Sequence, residues 1–153
     1  MINILKKIAK KLENENVNWI LIGSMSLALQ GISIKPNDID ILTDSDGLYK
    51  FSKIFKKYEV KPIRFKKTNL FRCYFGVYEI DGKRVEIMSD SKINFNGKWV
   101  SFLKKMKHIK TVDVDGVKIY TISLEDQLKF YKNLKRKKDE AKIKKIEEML
   151  SGK

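Results

Sequence analysis

The chain has 153 residues, of which 42% are hydrophobic and 10% aromatic, enough apolar material for one folded core and too much for a disordered chain. No apolar run approaches the roughly 20 residues of a membrane-spanning helix, so we expect no membrane partner. The 33 basic and 19 acidic residues give a formal charge of +14, which attracts polyanions such as nucleic acids and nucleotides. A Lys-rich surface like that of many heat-adapted proteins would carry the same charge, and charge alone does not decide between these alternatives.

The N-terminal stretch and the cysteine and histidine content indicate a compartment and exclude some sites. The stretch MINILKKIAKKLENEN lacks the long apolar segment and cleavage site of a signal peptide, so we expect a soluble, cytoplasmic protein. Cys73 is the one cysteine, cannot form an internal disulfide, and lies in the apolar run CYFGVY, so we expect it in the core. His108 is the one histidine, which excludes a multi-histidine metal site.

The first part of the chain predicts helices that alternate with short strands. Residues 2–13 carry apolar side chains at helical spacing, and the apolar run Trp19–Ile22 is typical of a buried strand. Ser24 is predicted to cap a short helix. The stretch NDIDILTD, residues 37–44, predicts a strand, and the apolar spacing of residues 48–58 predicts a second amphipathic helix.

The middle of the chain predicts strands joined by tight turns. The runs LFRCYFGVYEI and KRVEIM stand on either side of Asp81-Gly82, a strong hairpin signal. Asp115-Gly116 predicts a second hairpin in TVDVDGVKIYTI, and Asn96-Gly97 predicts a further turn. A short helix is expected near Phe102 to Met106.

Two helices are predicted at the C-terminal end. Ser123-Leu-Glu-Asp126 resembles a capping box that opens the first of them, and a last, charged helix follows. The chain has no repeats and no linker, so we expect one α/β (α+β) domain over residues 1–153. Its core would span residues of about 17–121, followed by helices at about 123–150.

Two aspartates interrupt the strand of residues 37–44. Asp38 and Asp40 alternate with isoleucines, and side chains two apart on a strand share a face, so the two carboxylates project together and repel. A divalent cation turns this repulsion into attraction. Mg²⁺ prefers oxygen ligands and binds through one or two carboxylates plus substrate phosphates, and two such ions can activate a hydroxyl and neutralise a leaving pyrophosphate. The alternative is an ordinary strand with a solvated acidic face.

Two further features favour the metal interpretation. Gly23-Ser24 follows a strand at the start of a helix, where glycine permits close backbone approach and free N–H groups can bind a phosphate. The alternative is an ordinary helix cap. Glu86 lies between two apolar residues on a predicted strand, and its alternative is an exposed strand face shared with Arg84.

Taken together, these elements resemble the nucleotidyltransferase superfamily, the fold of DNA polymerase beta and kanamycin nucleotidyltransferase, in a small stand-alone form. The resemblance covers residues 17 to about 90, and residues 122–150 look like the terminal helices of small prokaryotic members. It implies a mixed β-sheet flanked by helices, with C-terminal helices. The matching elements, the first two separated by thirteen residues, are Ile22-Gly23-Ser24, Asp38-Ile39-Asp40-Ile41 and Val85-Glu86-Ile87.

The resemblance also implies a role for each matching residue. Gly23 and Ser24 would hold the β- and γ-phosphates of a nucleoside triphosphate. Asp38 and Asp40 would bind the catalytic and nucleotide metal ions, Mg²⁺ or Mn²⁺. Glu86 would complete the shell of the catalytic metal and help to activate the acceptor hydroxyl. A nucleoside monophosphate would then pass to that hydroxyl, with release of pyrophosphate.

Some features depart from the family or leave its pattern open. The segment Ile34-Lys35-Pro36-Asn37 replaces an Arg-x-Thr-like lead-in, and Glu86 stands where Asp is commoner, which leaves the nucleotide contacts and the rate open. Lys129, Lys132 and Arg136 share a predicted helix face and are candidates for the triphosphate. A solvated helix face is the alternative for them.

The acceptor is left open by the sequence. A protein side chain, an RNA 3′ end and a small molecule such as an aminoglycoside are all compatible with it, and small prokaryotic relatives often belong to toxin–antitoxin pairs. The short chain favours a homodimer or a partner protein that completes the site. The alternatives to an enzyme are a catalytically silent module that binds nucleotide or RNA, and an antitoxin-like interaction protein that uses its Lys-rich terminal helices.

Overall fold

The computed structural model describes residues 1–105 and 108–152. The predicted alternation of helices and strands is present in its first part, where a short 3₁₀ turn, Lys56–Tyr58, connects the last helix to the last strand. These elements are α1 (Ile2–Asn14), β1 (Trp19–Ile22), α2 (Gly23–Leu29), β2 (Asp38–Thr43), α3 (Ser45–Ile54) and β3 (Glu59–Lys67).

The second part contains the predicted hairpins and the predicted C-terminal helices. The helix expected near Phe102 begins at that residue, and Met106, its expected end, lies outside the described residues. These elements are β4 (Phe71–Ile80), β5 (Lys83–Phe95), β6 (Lys98–Ser101), α4 (Phe102–Lys105), β7 (Ile109–Val114), β8 (Val117–Ile122), α5 (Leu124–Leu134), a 3₁₀ turn (Lys137–Asp139) and α6 (Glu140–Ser151).

Six strands of the described chain form one mixed sheet. Its order is β1-β2-β5-β4-β3, with β6 paired to β5. Strands β2 and β5 are parallel, and the other paired strands of this sheet are antiparallel. Strands β7 and β8 form a separate antiparallel hairpin. The mixed sheet and its flanking helices confirm the predicted α+β class, while the predicted extent of the domain stays a prediction.

The main core lies on one face of the mixed sheet. Helix α1 contributes a buried apolar stripe, and Phe51 of α3 packs edge-on against Tyr78 of β4 with ring centroids 5.0 Å apart. Ile39 and Ile41 of β2 are fully buried in the same cluster. Because side chains alternate along a strand, burying these isoleucines directs Asp38 and Asp40 to the opposite face. Cys73 is buried and free, as predicted.

One predicted cap is wrong and another is half formed. Helix α2 begins at Gly23 after extended Ile22 and has no side-chain cap, so Ser24 lies inside the first turn. Ser123 does cap α5, because its hydroxyl accepts a hydrogen bond from the N–H of Asp126 at 3.1 Å. In a complete capping box the Asp126 carboxylate would accept a hydrogen bond from the backbone N–H of Ser123. Here it accepts one from the backbone N–H of His108 at 2.8 Å. This hydrogen bond connects α5 to the segment that precedes β7.

None of the described helices is long and apolar enough to cross a membrane.

The caps give a paired stability prediction. We expect Ser123→Ala to lower the free energy of unfolding by about 1 kcal/mol, because the helix loses its side-chain acceptor. Ser24→Ala should cost less than about 0.5 kcal/mol, because the Ser24 hydroxyl caps nothing. Urea unfolding of the two variants beside the wild type measures both. Equal losses would show that Ser24 is a cap after all.

Candidate active site

The structure brings three of the predicted carboxylates together. Asp38 and Asp40 project from β2, and the parallel register of β2 with β5 places Glu86 directly beside Asp40. One carboxylate oxygen from each residue lies within 4.8 Å of one from each of the others. Two adjacent parallel strands therefore build an acidic cluster on the face of the sheet opposite the main core.

Burial and mutual repulsion disfavour the charged form of the two aspartates in the cluster. Burial raises the pKa of Asp40 to about 8, and the charges of Asp38 and Glu86 add to this effect. Burial also raises the pKa of Asp38, with the charge of Glu86 as the next cause. Glu86 has a cationic partner, because Arg84 donates from Nε to Glu86 Oε2 at 2.7 Å. The charged form is therefore disfavoured most strongly at Asp40.

The cluster has the donor set of a divalent-metal site. Asp40 Oδ1 is enclosed and has no hydrogen-bond partner among the described residues. An enclosed carboxylate oxygen without a partner costs free energy, which a bound cation would remove. Three carboxylates are hard oxygen ligands of the kind that Mg²⁺ and Mn²⁺ prefer. The residues present thus fit the metal that the sequence predicts.

Gly23 is the point at which the backbone of α2 meets the acidic cluster. Ile22 pairs with Asp40 in the β1–β2 register, so the next residue passes directly over the Asp40 side chain. A Cβ at Gly23 would overlap Asp40 Oδ2, and Gly23 has a left-handed φ of +75°. A residue with a side chain would therefore be strained and would displace the carboxylate.

A buried polar network fixes the position of α2. Thr121 of β8 donates to the carbonyl oxygen of Leu21 at 2.8 Å and is hydrogen-bonded to Ser26 of α2. Gln127 of α5 donates from Nε2 to Ser26 Oγ at 2.9 Å. The hairpin β7–β8 and helix α5 thus hold the start of α2, and with it Gly23 and Ser24, against the acidic cluster.

A cleft of about 490 Å³ opens in front of the cluster. Its lining includes the three carboxylates, Gly23 and Ser24, several aromatic rings, and five cations. The cations are Lys66, Arg72, Arg136, Lys138 and Lys142. An acidic cluster inside a mainly cationic cleft is suited to a ligand that carries both metal ions and phosphate groups.

Asp139 holds two of these cations in place. Its side chain is fully buried, and Arg136 donates from Nε to Asp139 Oδ2 at 2.6 Å. Lys142 Nζ lies 3.9 Å from Asp139 Oδ1. Arg136 was a candidate from the sequence, whereas Lys138 and Lys142 were missed. The signal was Asp139 directly after a run of four basic residues, since an acid can pair with basic residues three positions away on either side.

The two other predicted phosphate-binding lysines lie elsewhere. Neither Lys129 nor Lys132 is among the residues that line the cleft. Lys132 forms an ion pair with Glu147 of α6 at 2.9 Å, and Lys129 is exposed. The residues of α5 that line the cleft are Gln127, Phe130 and Tyr131, whereas Lys132 faces α6. The structure therefore departs from the predicted placement, and the helix-face alternative describes these two lysines better.

Comparison with known proteins shows which family and fold the chain is similar to. Residues 4–146 match the family model described as aminoglycoside-2″-adenylyltransferase. A provisionally assigned nucleotidyltransferase of Thermotoga maritima is 35% identical, with a TM-score of 0.80 over 99% of this chain and 93% of that chain. None of the curated proteins is significantly similar in sequence.

Two more distant structures share the fold. An antigenic nucleotidyltransferase-like protein of Paracoccidioides brasiliensis is 16% identical, with a TM-score of 0.54 over 98% of this chain and 75% of that chain. ANT(2″)-Ia, solved in complex with adenylyl-2″-tobramycin, is 12% identical, with a TM-score of 0.55 over 86% of this chain and 74% of that chain.

The acidic cluster gives a metal-binding prediction. Mg²⁺ should raise the melting temperature of the wild type, because it neutralises the three carboxylates. Asp40→Asn keeps the shape of the side chain and removes its charge, so we expect a higher melting temperature without metal and no response to Mg²⁺. Asp46→Asn, at an exposed position on α3, is the matched control and should respond like the wild type. A wild-type response in Asp40→Asn would contradict the assignment.

The contact between Gly23 and Asp40 gives a second prediction. Gly23→Ala should weaken Mn²⁺ binding at least tenfold, because the new methyl group displaces the Asp40 carboxylate. Gly82→Ala is the matched control: its φ of +80° imposes the same backbone strain, of about 1–2 kcal/mol, but no atom lies within 4 Å of the added Cβ. Isothermal titration with Mn²⁺ measures both variants. Similar Mn²⁺ affinities in the two would show that the contact does not matter.

Proposed function

The chain belongs to the aminoglycoside-2″-adenylyltransferase family of nucleotidyltransferases, and on this premise we propose that it transfers a nucleoside monophosphate from a nucleoside triphosphate to a hydroxyl group. The observation that carries the proposal is the meeting of Asp38, Asp40 and Glu86 beside Gly23, at the edge of a cationic cleft. An ordinary acidic surface would not leave an enclosed carboxylate oxygen without a partner.

The acidic cluster and the start of α2 have separate tasks in this proposal. Asp38, Asp40 and Glu86 would hold Mg²⁺ or Mn²⁺, which when bound neutralises phosphate charge and favours ionisation of the acceptor hydroxyl. Gly23 and Ser24 would bind the β- and γ-phosphates, because they line the cleft directly beside Asp40. Since Arg84 occupies Glu86 Oε2, the other oxygen of Glu86 is the one that would take the proton of the acceptor hydroxyl.

The cations held by Asp139 complete the phosphate site. Lys142 is close enough to the acidic cluster for its charge to lower the pKa of both aspartates, opposing the effect of burial. Arg136 and Lys142 would therefore face the triphosphate where it meets the metal ligands. Their ion pairs with a buried carboxylate limit the motion of both side chains, so they can stabilise the leaving pyrophosphate without first being ordered by it.

The proposed reaction is one displacement at the α-phosphorus. The acceptor oxygen forms a bond to this phosphorus, the bond from the phosphorus to the bridging α–β oxygen breaks, and pyrophosphate leaves. ATP is the first donor to test, because ANT(2″)-Ia was solved with an adenylylated product. The toxin–antitoxin setting and a partner that completes the site stay predictions.

Transfer of label tests this function. We expect wild-type protein with Mg²⁺ to transfer ³²P from at least one α-³²P-labelled nucleoside triphosphate to one of three pools: total RNA, extract protein or an aminoglycoside mixture. Asp40→Asn should lose this transfer by at least a hundredfold, because the metal ligands no longer act together. Asp46→Asn should retain it. Absence of label in all pools, or label that persists in Asp40→Asn, would contradict the proposal.

A further inference from the structure

Three cations form an unneutralised row across the sheet, on the face opposite the acidic cluster. Lys67 of β3 stands directly opposite Arg72 of β4, and Arg72 stands directly opposite Lys92 of β5. Like charges in direct cross-strand positions destabilise a sheet. None of the three forms an ion pair with a carboxylate in the described part of the chain. The row therefore has the electrostatic character of a site for an anion.

Arg72 is the middle cation of this row. Its guanidinium carbon lies 3.9 Å from the ring centroid of Trp99. Its Nε is enclosed and has no hydrogen-bond partner among the described residues. The stack on Trp99 fixes the position of a cation whose charge and Nε–H have no protein partner.

An exposed aromatic pair lies next to the row. Phe65 and Tyr74 stand directly opposite each other, with ring centroids 5.5 Å apart, and are 56% and 45% exposed. They are two residues from Lys67 and Arg72 on the same strands, so they share their face of the sheet. We call Phe65, Lys67, Arg72, Tyr74 and Lys92 the sheet patch. It combines bare aromatic rings with cations that lack partners.

We propose that the sheet patch binds a single-stranded polynucleotide. Phosphates spaced along the strand would neutralise the row, and unpaired bases would stack on the exposed rings. A duplex hides the faces of its bases, and an acidic peptide offers charge without the aromatic faces. An aminoglycoside is a polycation, and the row would repel it.

Binding by the sheet patch needs neither metal nor triphosphate, so it can be tested separately from the proposed function.

Fluorescence anisotropy with a labelled twelve-nucleotide single-stranded RNA tests the binding. The double variant Lys67→Gln/Lys92→Gln leaves Arg72 and its stack in place. We expect it to bind at least tenfold more weakly than the wild type. The slope of log affinity against log salt should flatten by about 1.4, since each phosphate that is no longer neutralised reduces it by about 0.7. The double variant Phe65→Leu/Tyr74→Leu keeps apolar side chains without rings, and should bind about tenfold more weakly with an unchanged salt slope.

A charge-matched control separates the sheet patch from net charge. Lys10→Gln/Lys110→Gln removes the same two charges from exposed positions on α1 and β7, and should bind like the wild type. The inference would be overturned if this control weakened binding as much as Lys67→Gln/Lys92→Gln does. It would also be overturned if a duplex of the same length bound as tightly as the single strand, or if poly-glutamate competed as well as unlabelled single-stranded RNA. No binding by the wild type at about 100 nM protein and roughly physiological salt would overturn it too.

The outcomes distinguish this inference from the proposed function. RNA binding that depends on the sheet patch, without transfer of label to any pool by the wild type, would support the inference and contradict the proposed function. Label transferred to an aminoglycoside or to protein, with no RNA binding, would support the proposed function and overturn the whole inference.

Discussion

The repulsion among three carboxylates on two adjacent strands is the constraint on which the rest of the site depends. Asp38 and Asp40 share a face because β2 is a regular strand, and Glu86 joins them because β5 runs parallel to it in register. One Asp40 oxygen is enclosed without a partner among the described residues, and burial raises the pKa of this side chain to about 8. A protein without a use for this arrangement would gain stability by replacing Asp40 with an apolar residue.

The surrounding structure supports this unfavourable arrangement from several sides. Ile39 and Ile41 anchor β2 in the main core, so the strand cannot rotate to expose its acids. Gly23 allows α2 to start directly against Asp40, and the hydrogen bonds of Ser26 with Thr121 and Gln127 hold that start in place. The core thus stabilises a local arrangement that is unfavourable in the absence of a cation, as is common at functional sites.

Local patterns predicted the acidic cluster well, because its geometry follows from strand periodicity and pairing. Asp38 and Asp40 needed only the two-residue period, and the hairpin at Asp81-Gly82 set where β5 begins. The basic residues of the C-terminal helices were predicted poorly. The face of α5 that meets the cleft depends on how α5 packs against α6, and this packing cannot be read from local patterns. Lys132 was expected at the phosphates and instead pairs with Glu147, whereas Lys142 lines the cleft.

Two other features could not be predicted from sequence patterns, for a different reason. The cap predicted at Ser24 failed because β1 continues into α2 without an intervening residue, which no local signal shows. The cation row needs the register of three strands, because a shift of one residue in any strand would turn a side chain to the other face. Such clusters become visible only when the pairing is known.

Binding of a divalent metal between the three carboxylates is what the whole interpretation of the site requires. Anomalous diffraction from crystals grown with Mn²⁺ and a non-hydrolysable nucleoside triphosphate analogue tests it most directly. We expect a strong manganese peak within bonding distance of Asp38 and Asp40, with the triphosphate beside Gly23 and Ser24. A well-ordered analogue bound elsewhere, or a cluster without a manganese peak when the ion is in excess, would contradict it.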